Sequence, residues 1–188
     1  MAKLAIYFPG IGYTVDKPLL YYGKNAAREA GYVNEQNVSY SYAVKDNLRG
    51  NSEKIKGTYE ALLSQAENQL KDVDFTSYDD VLFISKSIGT VVAYAYAEKY
   101  RLTQVRHVLY TPLEQTFNFT LHKAVGFIGT ADPWSNVDEI IQLSQNAGIS
   151  MNVYDNCTHS LECKDTLRNI EILRDIMQKT LDFCRGTE

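Results

Sequence analysis

Short apolar runs alternate along this chain with longer segments of helical periodicity, which is the pattern of successive βα units. Residues 4–8, 81–84 and 125–128 are nearly continuous apolar runs. Such runs are typical of parallel strands that helices cover on both faces. A further strand is predicted at about residues 106–110. We therefore expect these four segments to be the central strands of a parallel sheet.

Two other segments, residues 38–44 and 149–154, interleave apolar with polar positions. This alternation is typical of a strand with one wetter face, so we expect both segments at the edges of the sheet. With the second and the last strand outermost, the six strands fit the order 2-1-3-4-5-6. The prediction is a three-layer α/β/α fold with a six-stranded, mostly parallel sheet.

Apolar side chains recur every three to four residues between the strands, which predicts covering helices. The segment 88–100 is apolar enough to lie largely buried against the sheet. Segment 111–122 lacks a clear helical period, and its aromatic residues predict that it folds over a pocket as one of its walls. The other helices are predicted at residues 17–30, 55–70, 137–147 and 167–181.

Composition bounds the class of protein. A chain of 188 residues can bury one good core, so we expect a single domain over residues 1–188, without a lid domain. Hydrophobic residues make up 45% of the chain and charged residues 22%. These values are ordinary for a folded soluble protein and lie outside the disordered range.

Charge, cysteine spacing and the first apolar run argue against a nucleic-acid partner, a zinc site, and a signal peptide or membrane span. The net charge is -4, without a block of Lys or Arg, so nucleic acid is not expected as a partner. The three cysteines lack the spacing of a zinc site and cannot all pair, which favours reduced thiols. The first apolar run meets Pro9 and Gly10 too soon for a signal-peptide core or a membrane span. We expect a cytoplasmic protein without a metal.

Ser87 follows the third predicted strand in the segment Ser85-Lys86-Ser87-Ile88-Gly89, directly before the buried helix. A strand, a sharp turn and a helix form the setting of a nucleophile elbow. The turn requires small residues two positions before and after the nucleophile, which Gly89 meets fully and Ser85 approximately. A serine that only caps a helix would show the same pattern. We expect Lys86 to be a solvated side chain, with an anion contact for substrate as the alternative.

His159 is the histidine best placed to act with Ser87. Loops that follow the strands of a parallel sheet share one edge, where ligands bind. His159 follows the last predicted strand, whereas His122 precedes a strand and His107 lies within an apolar run. We therefore interpret His107 as a core residue and expect His122 at the opposite edge. A loop histidine without a function remains the alternative for His159.

A third residue, a carboxylate, must orient the imidazole. Asp132 follows the fifth predicted strand, whereas Asp79 and Asp80 precede the third. Asp155 and Asp16 also lie at the correct edge, but Asp155 belongs to the histidine loop and Asp16 is expected to cap the first helix. Asp132 is therefore our choice, and a turn-forming Asp before proline is the alternative.

Acyl transfer also needs two donors for a developing oxyanion. The backbone N–H of Ile88 supplies one, and the turn after the first strand supplies the other from Ile11 or, next, Gly12. Gly10 and Gly12 could instead begin a dinucleotide fingerprint, but Val15 stands where its third glycine belongs.

The chain resembles the α/β-hydrolase superfamily, especially its small lidless members. The resemblance lies in the order of Ser87, Asp132 and His159, the glycine turn, and the Asp-x-Trp and His-Ser-Leu-Glu segments. The family more often has glycine at position 85. The resemblance implies that Ser87 is the nucleophile, His159 the general base and acid, and Asp132 the orienting acid. It likewise implies that Ile11 and Ile88 are the oxyanion donors.

The sequence thus predicts a serine hydrolase that cleaves esters or related acyl bonds of small substrates, without a cofactor. We expect activity to rise with pH through a titration near about 7. One alternative is a non-catalytic binding or regulatory protein with this fold, and another is a thioesterase, acyltransferase or amidase with the same triad. A homodimer is possible. The residues expected to contact substrate are Tyr13, Phe117, Phe119 and Trp134.

Overall fold

A computed structural model describes residues 2–42, 52–120 and 123–187. Six strands pair in parallel in the order β2-β1-β3-β4-β5-β6, which confirms the predicted topology. The second strand and the last lie at the edges of this sheet. The strands are β1 (Lys3–Phe8), β2 (Asn34–Asn37), β3 (Asp80–Lys86), β4 (Arg106–Tyr110), β5 (Ala124–Gly129) and β6 (Ser150–Tyr154).

Helices cover both faces of the sheet, which explains why its central strands are apolar on both sides. Pairs α1 and α5 pack together on one face, and α2 and α3 on the other. Helix α3 is buried along nearly its whole length, as predicted. None of the described helices is both long and apolar enough to cross a bilayer. The helices are α1 (Pro18–Glu29), α2 (Ser52–Leu70), α3 (Ile88–Lys99), α4 (Val137–Asn146) and α5 (Thr166–Arg185), with short 3₁₀ turns at Phe75–Ser77 and Glu114–Asn118.

The second strand does not lie where the hydrophobic pattern predicts it. The sequence predicts residues 38–44, but β2 is Asn34–Asn37, in register with β1 from Leu4 to Tyr7. Three of its four residues are exposed, so this strand is held by backbone pairing and has no apolar signature. Residues 43 and 44 lie outside the described residues.

The alternation after β2 has a different cause. The side-chain amide of Gln69 accepts from the backbone N–H of Ser39 (2.9 Å) and donates to its carbonyl (2.8 Å). Gln65 makes the same pair of bonds with Ser41. Two glutamines of α2 therefore take the place of a partner strand, while Val38 and Tyr40 pack against the core.

The start of α1 also differs from the prediction. Lys17, not Asp16, is the N-cap residue, and its side chain makes no capping bond. The hydroxyl of Tyr13 instead accepts from the backbone N–H of Leu19 at 3.0 Å. The turn after β1 is thereby fixed to the first turn of α1.

Candidate active site

Ser87 occupies a strained turn between β3 and α3. Its φ of 57° and ψ of -129° are rare for a residue with a side chain. A Cβ at Gly89 would lie 2.3 Å from the carbonyl oxygen of Phe8 and 2.4 Å from that of Pro9. Only glycine fits there, because α3 passes directly against the end of β1. This is the geometry of a nucleophile elbow.

Ser85 shows how the elbow accommodates a residue other than glycine two positions before the apex. Its side chain is fully buried, and its Oγ donates to the carbonyl of Val108 on β4 at 3.2 Å. The hydroxyl is therefore satisfied within the sheet, and the turn keeps its shape.

The structure brings the three predicted reacting residues into one row. His159 Nε2 lies 2.8 Å from Ser87 Oγ. On the other side of the ring, His159 Nδ1 lies 2.7 Å from Asp132 Oδ2 and 2.9 Å from Oδ1. The backbone N–H of Trp134 donates to Asp132 Oδ1 at 2.9 Å, which fixes the carboxylate. A serine, an imidazole and a buried carboxylate in this order can activate the hydroxyl for nucleophilic attack.

The loops that carry the carboxylate and the imidazole are joined to each other. The backbone N–H of Ala131 donates to the carbonyl of Cys157 (3.0 Å), and that of Asn156 to Thr130 Oγ1 (2.7 Å). A Cβ at Gly129 would lie 2.1 Å from the Cys157 carbonyl oxygen, so the two loops need glycine at this crossing. The relative positions of Asp132 and His159 are thus set by the backbone.

The other candidate residues lie away from this row. His107 is buried and stacked on Tyr94, with ring centroids 3.9 Å apart, as expected of a core residue. Asp79 and Asp80 lie at the opposite edge, where Asp80 pairs with Arg106. His122 lies outside the described residues. Within the described part of the chain, no cluster of side chains could hold a metal ion.

The environment of His159 favours its uncharged form. Burial lowers the pKa of the imidazole below its ordinary 6.5, and the nearby charge of Lys86 lowers it further. The hydrogen bond and charge of Asp132 act in the opposite direction but do not reverse the shift. The titration of activity at about pH 7 stays a prediction, and the direction of this shift favours a lower pH.

Lys86 is not the solvated side chain that the sequence predicted. It is fully buried, and its Nζ donates to Thr111 Oγ1 at 2.6 Å. The ammonium also lies 5.0 Å from the centroid of the Tyr13 ring. Alternation along β3 places it on the same face as Leu82 and Ile84, and that period was the signal that could have predicted its burial. Burial lowers the pKa of Lys86 to about 7.

The turn after β1 lies against the elbow. The N–H of Tyr13 donates to the Gly10 carbonyl at 3.3 Å, and Gly12 has a φ of 71°, as the third residue of a type II turn requires. A Cβ at Gly10 would lie 3.2 Å from the Cβ of Ser87. The turn therefore runs past the serine side chain.

The three predicted oxyanion donors belong to this turn and to the start of α3. No acceptor within the described residues takes their backbone N–H groups. Such groups beside a nucleophile are suited to stabilise a developing negative charge. The donors are Ile11, Gly12 and Ile88.

Of the residues expected to contact substrate, Trp134 lies next to the row, its ring centroid 5.6 Å from that of His159 and its side chain exposed. Tyr13 is half-buried over Lys86. Phe117 and Phe119 pack near Tyr94 and Leu109.

Two cavities flank these elements. Phe119 lines a cavity of about 610 Å³ between α2, the Glu114–Asn118 turn and α4, so segment 111–120 does form a cavity wall. A second cavity of about 310 Å³ lies beside the turn after β1, where Ile11, Gly12 and Tyr40 are among its lining residues.

Solved structures share this architecture. An esterase from Pyrococcus furiosus matches with a TM-score of 0.66 and 15% identity, over 98% of this chain and 82% of its own. A serine hydrolase homologue from Coxiella burnetii gives 0.65 and 15%, over 95% and 84%. An α/β serine hydrolase without a lid from Xanthomonas campestris gives 0.59 and 14%, over 96% and 81%. The chain has the α/β-hydrolase fold.

No protein-family model and no curated protein matches the chain. The evidence for the α/β-hydrolase fold therefore comes from structural similarity alone. Sequence identities this low do not show that the proteins share an activity.

Proposed function

We propose that this protein is a serine hydrolase that cleaves carboxylic esters or related acyl bonds of small substrates through an acyl-enzyme. The observation that carries the proposal is the unbroken row from Ser87 Oγ through His159 to the Asp132 carboxylate, with separations of 2.8 and 2.7 Å. Ser87 lies on a strained elbow, where its backbone angles are ones that a residue with a side chain rarely adopts. That the fold maintains this strain supports a functional role for Ser87.

The proposed cycle begins when Ser87 Oγ attacks the acyl carbonyl and His159 Nε2 takes the hydroxyl proton. The Asp132 carboxylate holds Nδ1–H and stabilises the imidazolium that forms. Collapse of the tetrahedral intermediate releases the leaving group, which receives the proton from His159. Water, activated by the same imidazole, then hydrolyses the acyl-enzyme and regenerates Ser87.

The backbone N–H groups of Ile11 and Ile88 are the proposed oxyanion donors, with Gly12 next. Trp134, beside His159, is the proposed contact for the acyl or leaving group. We propose a cytoplasmic location, in keeping with three cysteines that form no disulfide within the described chain.

The test is to remove the nucleophile and the base separately and together. Ser87→Ala and His159→Ala should each lower kcat/KM for a short-chain ester by roughly 10⁴-fold, and the double variant should lose little more because both residues act in one step. A panel of esters, thioesters and amides measured with the same variants identifies the bond. Independent, multiplying losses would contradict the mechanism.

Covalent labelling by a fluorophosphonate provides the direct measurement. The wild type should label, Ser87→Ala should not, and Ser160→Ala, a serine in the histidine loop outside the row, should label like the wild type. An unlabelled wild type would instead indicate a binding protein with this fold.

A further inference from the structure

Lys86 immediately precedes the proposed nucleophile, yet its ammonium is sealed inside the protein. Among the described residues, its ammonium donates one hydrogen bond, to Thr111 Oγ1 at 2.6 Å, and lies 5.0 Å from the centroid of the Tyr13 ring. No carboxylate within the described residues lies at salt-bridge distance from its Nζ. Burying an ammonium with so few partners is unfavourable, and an apolar side chain of the same length would suit this position better. Packing alone therefore does not account for Lys86.

The charges around Lys86 indicate what the ammonium does. The Asp132 carboxylate is itself fully shielded from solvent, and Lys86 interacts electrostatically with both Asp132 and His159. Below about pH 7, where Lys86 keeps its proton, an uncharged imidazole leaves the ammonium as a cation that acts on that buried carboxylate. When the imidazole becomes protonated, the same region must hold two positive charges.

We propose that Lys86 is a positioning residue of the Ser87 site, whose buried ammonium balances the Asp132 carboxylate and disfavours a proton on resting His159. The inference rests on the proposed function, because an uncharged imidazole matters as the general base for Ser87. The burial of this lysine then serves the chemistry of the site, and the fold should be more stable without its charge.

The neighbouring groups are consistent with this assignment. Burial holds the pKa of Lys86 near about 7, so the ammonium is charged over the acidic range in which His159 titrates. Burial also raises the pKa of Tyr13 to about 12, so its phenol is uncharged there and cannot neutralise Lys86. Among the described residues, the titratable groups that act on Lys86 or His159 are Asp132 after β5 and each other, and the Tyr13 ring lies against Lys86. Glu162, three residues after His159, acts on Tyr13.

The decisive variant is Lys86→Met, which removes the charge and keeps the length of the side chain. The acidic limb of the kcat/KM profile should move to higher pH by roughly half to one unit, because protonated His159 no longer meets a second cation. Lys99→Met removes one positive charge from the exposed end of α3 and should leave the limb unchanged. Lys86→Gln, which can still bond Thr111, should shift the limb in the same direction.

Nuclear magnetic resonance gives a reading that does not require turnover. In a Ser87→Ala background, the pKa of the His159 imidazole should rise by a similar amount when Lys86 becomes Met or Gln, with the signal assigned by comparison with His159→Gln. If the wild type hydrolyses esters but both variants leave the limb and the His159 titration unchanged, the inference is overturned. If no substrate is turned over, the proposed function fails, and the titration alone then supports or overturns the coupling.

Discussion

Ser87 and Lys86 are adjacent in sequence but lie in opposite environments. The backbone of β3 directs Lys86 toward the layer of α1 and α5, and the reversal at Ser87 turns the hydroxyl toward His159 at the rim of the sheet. The strain of the elbow and the desolvation of the ammonium are both local costs that the rest of the fold offsets. At the residue scale, the site therefore combines two neighbouring residues that each lower the stability of the folded protein.

The buried ammonium should make stability depend on pH. The pKa of Lys86 is about 7 in the folded protein and about 10.5 when unfolded, so between these values the unfolded chain holds a proton that the folded protein has released. Stability of the wild type should therefore rise across this window. Lys86→Met should be more stable by roughly 2–4 kcal/mol at pH 6, and the gain should shrink toward pH 10. Urea unfolding of both proteins at several pH values measures this, and a gain that is constant with pH would contradict it.

At the element scale, the site depends on how closely α3 approaches β1. The turn after Pro9 carries two of the proposed oxyanion donors, Ile11 and Gly12, and Gly89 allows α3 to touch the backbone just before them. The two loops after β5 and β6 show the same dependence at Gly129. Close backbone contacts between elements, rather than side-chain packing, set the positions of the reacting groups.

A methyl group at Gly89 tests this dependence. Gly89→Ala places a Cβ against two backbone carbonyls that cannot move without displacing β1 or α3, so we expect a loss of about 2–4 kcal/mol in unfolding free energy. Ester turnover should fall as well, because the turn beside Ser87 must shift. The matched control is Gly57→Ala on α2, where a Cβ meets nothing within 4 Å, and a gain of roughly 0.5–1 kcal/mol is expected. Equal effects at both glycines would argue against a backbone clash.

The same scale shows what the sequence could predict. Strands β1, β3, β4 and β5 were predictable because helices bury both of their faces. Since Ser87, Asp132 and His159 each follow a predicted parallel strand, their location at one end of the sheet was predictable as well. Strand β2 was not, because Asn34–Asn37 is polar and is held by backbone bonds that leave no hydrophobic pattern. The burial of Lys86 was not predicted because lysine is rarely buried, although strand alternation places it on the face of Leu82 and Ile84.

At the scale of the whole molecule, the carboxyl ends of the strands carry the Ser87 site, whereas the amino ends carry a network of stabilising hydrogen bonds. Opposite the Ser87 site, Arg106 on β4 binds Asp80 on β3 and the hydroxyl of Tyr32. It also donates to the carbonyls of Phe183 (2.6 Å) and Cys184 (3.1 Å) at the end of α5. Although burial alone would raise it, the hydrogen bonds of Arg106 and Tyr32 hold the pKa of Asp80 below its ordinary value.

Removing Arg106 should therefore affect stability and leave the chemistry intact. Arg106→Met removes the donor of two carbonyls and the guanidinium partner of a half-buried carboxylate, so we expect a loss of about 2–4 kcal/mol in unfolding free energy. Arg185→Met breaks an exposed pair with Glu29 and should cost no more than about 0.5 kcal/mol. In both variants kcat/KM per folded molecule should equal that of the wild type, because the bonds that align Ser87, His159 and Asp132 lie at the other edge. A fall in turnover by the folded Arg106→Met protein would show that the two edges are coupled through the strands.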